Sequence, residues 1–144
     1  MAADERSRHL ANVAARAAAS KKAEEIIALD VSERLVLTDV FLVASGSNER
    51  QVRAIVEAIE EALAAEGAKP VRTEGLTESR WVLVDYTDVI VHVQHTEDRQ
   101  FYALERLWGD CPVVPVDVED VVVDETTPGA EDGPYRATGL GTGQ

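Results

Sequence analysis

The chain has 144 residues, enough for one domain with a tail, and its 45% hydrophobic content is ordinary for a globular protein. Its formal net charge is −13 at pH 7, from 27 acidic and 14 basic side chains. Gripping nucleic acid through its phosphates needs a basic surface, so this balance argues against direct DNA or RNA binding and favours a basic protein partner.

The charge is unevenly spread. Residues 1–22 hold five basic and two acidic side chains, while residues 117–144 hold seven acidic and one basic. The stretch between them carries −10, so the acidity belongs to the predicted domain as well as to its tail. One cysteine, Cys111, rules out an intramolecular disulfide. No apolar run approaches the roughly 18 residues of a membrane span, and the N-terminus lacks a signal-peptide core. The expected location is the cytoplasm, away from membranes.

In chain order, residues 7–20 read as a first helix, with Ser7 placed to cap it and Leu10, Val13, Ala14 and Ala17 recurring at helical spacing. This alanine-rich stripe suggests shallow packing. Residues 26–31 and 36–44 read as strands buried on both faces, because they run apolar without alternation. Ser45-Gly46-Ser47-Asn48 ends the second strand. Ser47 or Asn48 can cap the next helix, and Gln51 suggests a capping box. Val52, Ile55, Ile59 and Leu63 form that helix's inner face, and Gly67 is placed to end it.

Residues 70–74 suggest a short third strand and 75–80 a loop. Residues 81–85 and 89–94 are the clearest strands, and the short turn between them favours an antiparallel hairpin. Alternation puts Trp81, Leu83 and Asp85 on one face and Val82, Val84 and Tyr86 on the other. Residues 97–109 read as a last helix. Pro112 and Pro115 then confine the following segment to an extended, edge-lying course. The composition beyond is that of a disordered acidic tail, so the chain divides into a domain over 1–116 and a tail over 117–144.

A catalytic site is not visible in these residues. The Ser45-Gly46-Ser47 turn before a helix is a place where phosphate can bind, and nucleotidyltransferases use such a turn. They also need paired carboxylates, usually Asp-x-Asp, to hold metal ions, and none follows Gly46 within a dozen residues. A capped helix start is the plainer reading, with a nucleotide-binding enzyme as the alternative. His92 and His95 would point to opposite faces of a strand and make no metal site, and both read as surface histidines. No cofactor or metal is expected. The richest cluster is aromatic and acidic instead. Trp81, Asp85, Tyr86 and Asp88 on the hairpin, with Tyr102 and Glu105 on the last helix, form a candidate partner-binding set. Tyr86, on a turn between acids, reads as exposed, so alanine there is expected to weaken binding without unfolding the domain. Trp108 reads as core, while Trp81 and Tyr102 fit either role.

Four segments carry a resemblance: KKAEEI (21–26), ASGSNERQV (44–52), WVLVDYTDVIVHV (81–93) and RQFYALERLW (99–108). In this order and spacing they resemble the ribosomal silencing factor (RsfS, or Iojap-like) family over roughly residues 10–110. Departures are small: Asp39-Val40-Phe41 stands where Asp-Tyr-Phe is frequent, and Ser79-Arg80 where small residues are common. The resemblance implies a single α/β (α+β) domain, a nucleotidyltransferase-like mixed sheet of about five strands flanked by helices, without the catalytic carboxylates and so without enzymatic activity. It further implies binding to the large ribosomal subunit at ribosomal protein L-fourteen, a steric block to subunit joining, repression of translation under nutrient limitation, and a homodimer when free.

Overall fold

The computed structural model describes residues 2–102 and 104–126, including their side chains except those of residues 100–102, 104 and 105. In chain order the elements are α1 (Glu5–Ser20), β1 (Glu24–Asp30), β2 (Val40–Gly46), α2 (Glu49–Ala65), β3 (Arg72–Glu74), β4 (Trp81–Asp85), β5 (Val89–His95), α3 (Thr96–Tyr102) and α4 (Leu104–Leu107). The strands form one mixed sheet in the order β1-β2-β5-β4-β3. Only β2 and β5 are parallel, from Val40 opposite Val89 to Gly46 opposite His95, and the other pairs are antiparallel. Every residue of β2 is buried, which is why its sequence runs apolar without alternation.

Helices α1 and α2 pack together over one face of the sheet. Val52, Ile55, Ile59 and Leu63 of α2 are fully buried there, against Leu42, Val82, Val84, Val91 and Val93. Ala11, Ala14, Ala15 and Ala18 of α1 are also fully buried, so the alanine stripe seats the helix closely rather than shallowly. Asp4, not Ser7, caps α1: its carboxylate accepts the Ser7 N–H at 2.7 Å. Ser7 lies inside the helix, where its hydroxyl donates to Asp39 Oδ2 at 3.1 Å.

The second strand starts at Val40, four residues later than its apolar content suggests. Val31 N–H donates to Asp39 C=O at 2.8 Å, and Asp39 and Val40 both donate to the Asp88 carbonyl, so pairing begins there. Val36 and Leu37 consequently stand in the β1–β2 loop, 98% and 73% exposed. The helix expected over 97–109 is occupied by α3 and α4. The segment after Pro112 lies on the outer edge of β1, as its prolines suggest: Asp30 N–H donates to Pro112 C=O and Val114 N–H to Ala28 C=O, both at 2.8 Å. The chain then follows α1. Asp117 N–H donates to Asn12 Oδ1 at 2.7 Å, Arg16 donates to the Asp117 and Glu119 carbonyls, and Lys21 pairs with Asp124. Residues 117–126, assigned to the tail on composition, thus run along this helix, while residues 127–144 lie outside the described residues.

The loop leading into β4 turns on Gly75, whose φ is +88°. A Cβ added there would sit 2.2 Å from the Trp81 carbonyl oxygen, a backbone atom that cannot move aside cheaply. Gly75→Ala is expected to lower stability by more than about 2 kcal/mol, read as a fall in the urea midpoint at unchanged slope.

Candidate partner-binding face

Cross-strand partners lie on the same face of a sheet, so the pairing register sets out the face opposite α1 and α2 in rows. One row runs Leu29, Phe41, Ile90, Asp85, Arg72; the next runs Ile27, Val43, His92, Leu83, Glu74; the third runs Ser45, Gln94, Trp81. Leu35, Trp108 and Cys111 cover the β1–β2 side of these rows. Helix α3 packs on β5 and β2, with Arg99 donating to Ser45 Oγ at 3.3 Å. The β4 side carries less cover among the described residues. Trp81, Leu83 and Asp85 are half-buried there, as is Ile90 at the border with the covered cluster, and Trp81 and Leu83 border a depression of about 260 Å³ with Glu74 and Gly75. Arg72, on the edge strand, pairs with Asp85 at 3.5 Å and Glu74 at 3.3 Å.

An aromatic series links the covered and open sides. The Arg34 guanidinium lies 4.5 Å from the Trp108 ring centroid, Trp108 meets Phe41 edge-on at 4.9 Å, and Phe41 meets His92 edge-on at 4.9 Å. Trp81 Nε1–H then donates to His92 Nδ1 at 3.2 Å. His92 is therefore not a surface histidine. It is 5% exposed, and burial pushes its imidazole from an ordinary 6.5 down to about 4. Because Nδ1 accepts, the ring proton sits on Nε2, which is buried and has no hydrogen-bond partner among the described residues. His95 points the other way, as the strand period requires, and its Nδ1 accepts the Glu97 N–H at the start of α3.

The candidate residues named from sequence separate on this frame. Trp81 and Asp85 lie on the open face. Asp88 stands exposed at the hairpin turn, and its carbonyl holds the start of β2. Tyr86 is a correction: it is 8% exposed and part of the main core. The alternation that turns Val82 and Val84 toward α2 continues to Tyr86 and outweighs its place beside the turn. Its hydroxyl is buried without a partner among the described residues, and burial, with the Glu60 carboxylate nearby, pushes its pKa up to about 12. Trp108 is half-buried against Phe41, close to its core assignment. The side chains of Tyr102 and Glu105 lie outside those described. Leu83 and Ile90 were not singled out from sequence, although the same alternation places Leu83 beside Trp81.

The Ser45-Gly46-Ser47 turn is closed from within. Asn48 caps α2 by accepting the Gln51 N–H at 2.8 Å. The fully buried Gln51 side chain reaches past Asn48, its Oε1 accepting from the Ser47 N–H at 2.7 Å. Its Nε2 donates to the Lys21 and Lys22 carbonyls at 3.1 and 2.9 Å. The backbone donor that a phosphate would use is thus engaged, and the Gln51 side chain packs 3.2 Å from where a Gly46 Cβ would be. Among the described residues, no group of three or more His, Cys, Asp or Glu side chains is arranged to hold a metal ion, and no helix is long and apolar enough to cross a membrane.

The profile of the family described as "Ribosomal silencing factor during starvation" matches residues 4–138. The chain belongs to this family. The ribosomal silencing factor RsfS of Bacillus subtilis is 43% identical over 105 residues, covering 73% of this chain and 89% of that protein. A crystal structure from Bacillus halodurans aligns with a TM-score of 0.66 at 38% identity, covering 75% of this chain and 98% of that one. Another solved structure, from Chromobacterium violaceum, aligns at 0.68 and 34% identity, covering 78% and 94%. The silencing-factor relative is named for a regulatory role rather than for catalysis, in accord with the closed Ser-Gly-Ser turn.

Two predictions concern buried polar groups of the hairpin. Tyr86→Phe removes an unpartnered buried hydroxyl and is expected to leave stability equal or up to about 1 kcal/mol higher. Tyr86→Ala should instead cost about 3–5 kcal/mol, so it unsettles the domain rather than reporting on binding alone; denaturant titration of both variants measures this. His92 is neutral in the fold, whereas the unfolded chain takes up its proton at the ordinary value. Its effect on stability is therefore absent above about pH 6.5, grows as pH falls toward 4 and reaches a loss of about 3 kcal/mol. Denaturant midpoints at pH 7, 5.5 and 4 should show this acid limb in the wild type and a flatter one in His92→Phe.

Proposed function

We propose that this silencing-factor chain docks its open sheet face on the large ribosomal subunit at ribosomal protein L-fourteen. By its bulk there it keeps the small subunit from joining and lowers translation under nutrient limitation. The observation that carries this reading is the half-buried set of Trp81, Leu83, Asp85 and Ile90, presented on paired strands in a member of a family named for silencing. An aromatic and an aliphatic anchor beside carboxylates suit a basic protein surface, and the net charge of −13 favours the encounter. A steric block needs affinity and bulk, and an interface of about 1,200–2,000 Å² supplies enough of both. The same reading makes the chain cytoplasmic and, when free, a homodimer.

Sedimentation of purified ribosomal subunits with and without the protein tests this. The wild type is expected to co-migrate with the large subunit and to lower the fraction of joined ribosomes. Trp81→Ala should weaken binding roughly 10–30-fold, as loss of an aromatic anchor does, while Glu61→Ala on the exposed side of α2 should leave it unchanged. Wild-type protein remaining at the top of the gradient, with joining unaffected, would overturn the proposal.

A further inference from the structure

We propose that His92 is a positioning residue for docking: it holds the Trp81 indole in place by accepting the indole N–H, so that the partner meets the ring rather than its polar edge. This rests on the docking reading above and assigns a role within it.

The geometry supports the role from three sides. Trp81 is half-buried on the open face, and its polar atom donates inward to His92 Nδ1 at 3.2 Å. His92 cannot readily turn away, because it lies opposite Leu83 in the strand register, against Phe41 at 4.9 Å, and only 5% exposed. The histidine is also poorly suited to a purely structural part. In the tautomer that accepts from Trp81, Nε2–H is buried without an acceptor among the described residues, a burden a phenylalanine at this position would not carry. The arrangement gives up stability and gains a fixed indole. A tryptophan whose N–H is already satisfied offers a partner its ring surface without leaving a donor unpaired in the interface.

The test compares His92→Phe, which keeps a ring of similar size but removes the acceptor, with His92→Asn, whose side-chain oxygen stands close to the Nδ1 position. Both are studied as the full chain labelled with ¹⁵N, the two indole signals being assigned with Trp108→Phe. Thermal unfolding establishes that each variant is folded. In the wild type and in His92→Asn the Trp81 indole proton should be hydrogen-bonded and slow to exchange with water. In His92→Phe it should move upfield and exchange at least about tenfold faster. Large-subunit affinity should fall about tenfold in His92→Phe, equivalent to about 1.4 kcal/mol, and stay within about twofold of wild type in His92→Asn.

An unchanged Trp81 signal in His92→Phe overturns the inference, as does unchanged affinity in that variant while Trp81→Ala weakens binding. If the wild type itself fails to bind the large subunit, the docking reading falls and takes this role with it. The indole exchange data then show separately whether His92 fixes the ring in the free chain.

Discussion

The parallel pairing of β2 with β5 at the buried centre of the sheet constrains everything else. Two parallel strands cannot be joined by a tight turn. The chain leaving Gly46 must travel as far as Val89 before it can lie beside β2, and that crossover carries α2, β3 and β4. Helix α2 closes one face over the centre. β4 then pairs on the outer side of β5, away from the Trp108–Cys111 segment, and its start is tied to α3 through Arg80, which pairs with Asp98 at 2.7 Å and Glu97 at 3.1 Å. The half-buried set of Trp81, Leu83, Asp85 and Ile90 follows from this route: Trp81, Leu83 and Asp85 lie on a strand paired outside β5, and Ile90 lies where β5 borders the covered cluster.

Much of this was legible in the residues because each element obeys its own period. Val52, Ile55, Ile59 and Leu63 predicted α2, the alternation over 81–94 predicted the hairpin, and Pro112 and Pro115 predicted an edge course for the following segment. The departures have separate physical origins. Val36 and Leu37 are as apolar as strand residues, and only the hydrogen bonds at Asp39 and Asp88 determine where pairing begins. Tyr86 stands beside acids at the turn, whereas strand period places it in the core. His92 looked like a surface residue because the cover supplied by Phe41 and Trp81 comes from other strands. The packing of residues 117–124 against α1 depends on contacts with Asn12, Arg16 and Lys21, roughly a hundred positions away, which no local pattern records. As for the candidate site, Trp81 and Asp85 lie on the open face. Leu83 shares it by an alternation already visible in the sequence.

Polar burial is distributed unevenly. Gln51 beneath the Ser-Gly-Ser turn uses both ends of its amide and binds α2 to the end of α1. On the hairpin side, the Tyr86 hydroxyl, His92 Nε2 and both amide atoms of Gln94 are buried without partners among the described residues. Each such group costs on the order of 1–3 kcal/mol relative to an apolar replacement of the same shape. The turn that resembles a catalytic motif is thus among the best satisfied places in the domain, and the strands presenting the open face are among the least. Local inconsistencies of this kind are expected where a surface serves recognition as well as folding.

The strip from Pro112 to Val114 along β1 has a consequence for how copies of this protein behave at high concentration. A sheet margin with free N–H and C=O groups is a template on which other chains can add as strands. Here the β1 margin from Ala28 to Asp30 is already taken by the chain's own backbone, followed by Pro115, which has no N–H to offer. The opposite margin, β3, is three residues long and carries Arg72 and Glu74. A cell can therefore accumulate this acidic domain with neither end of its sheet inviting strand-by-strand aggregation.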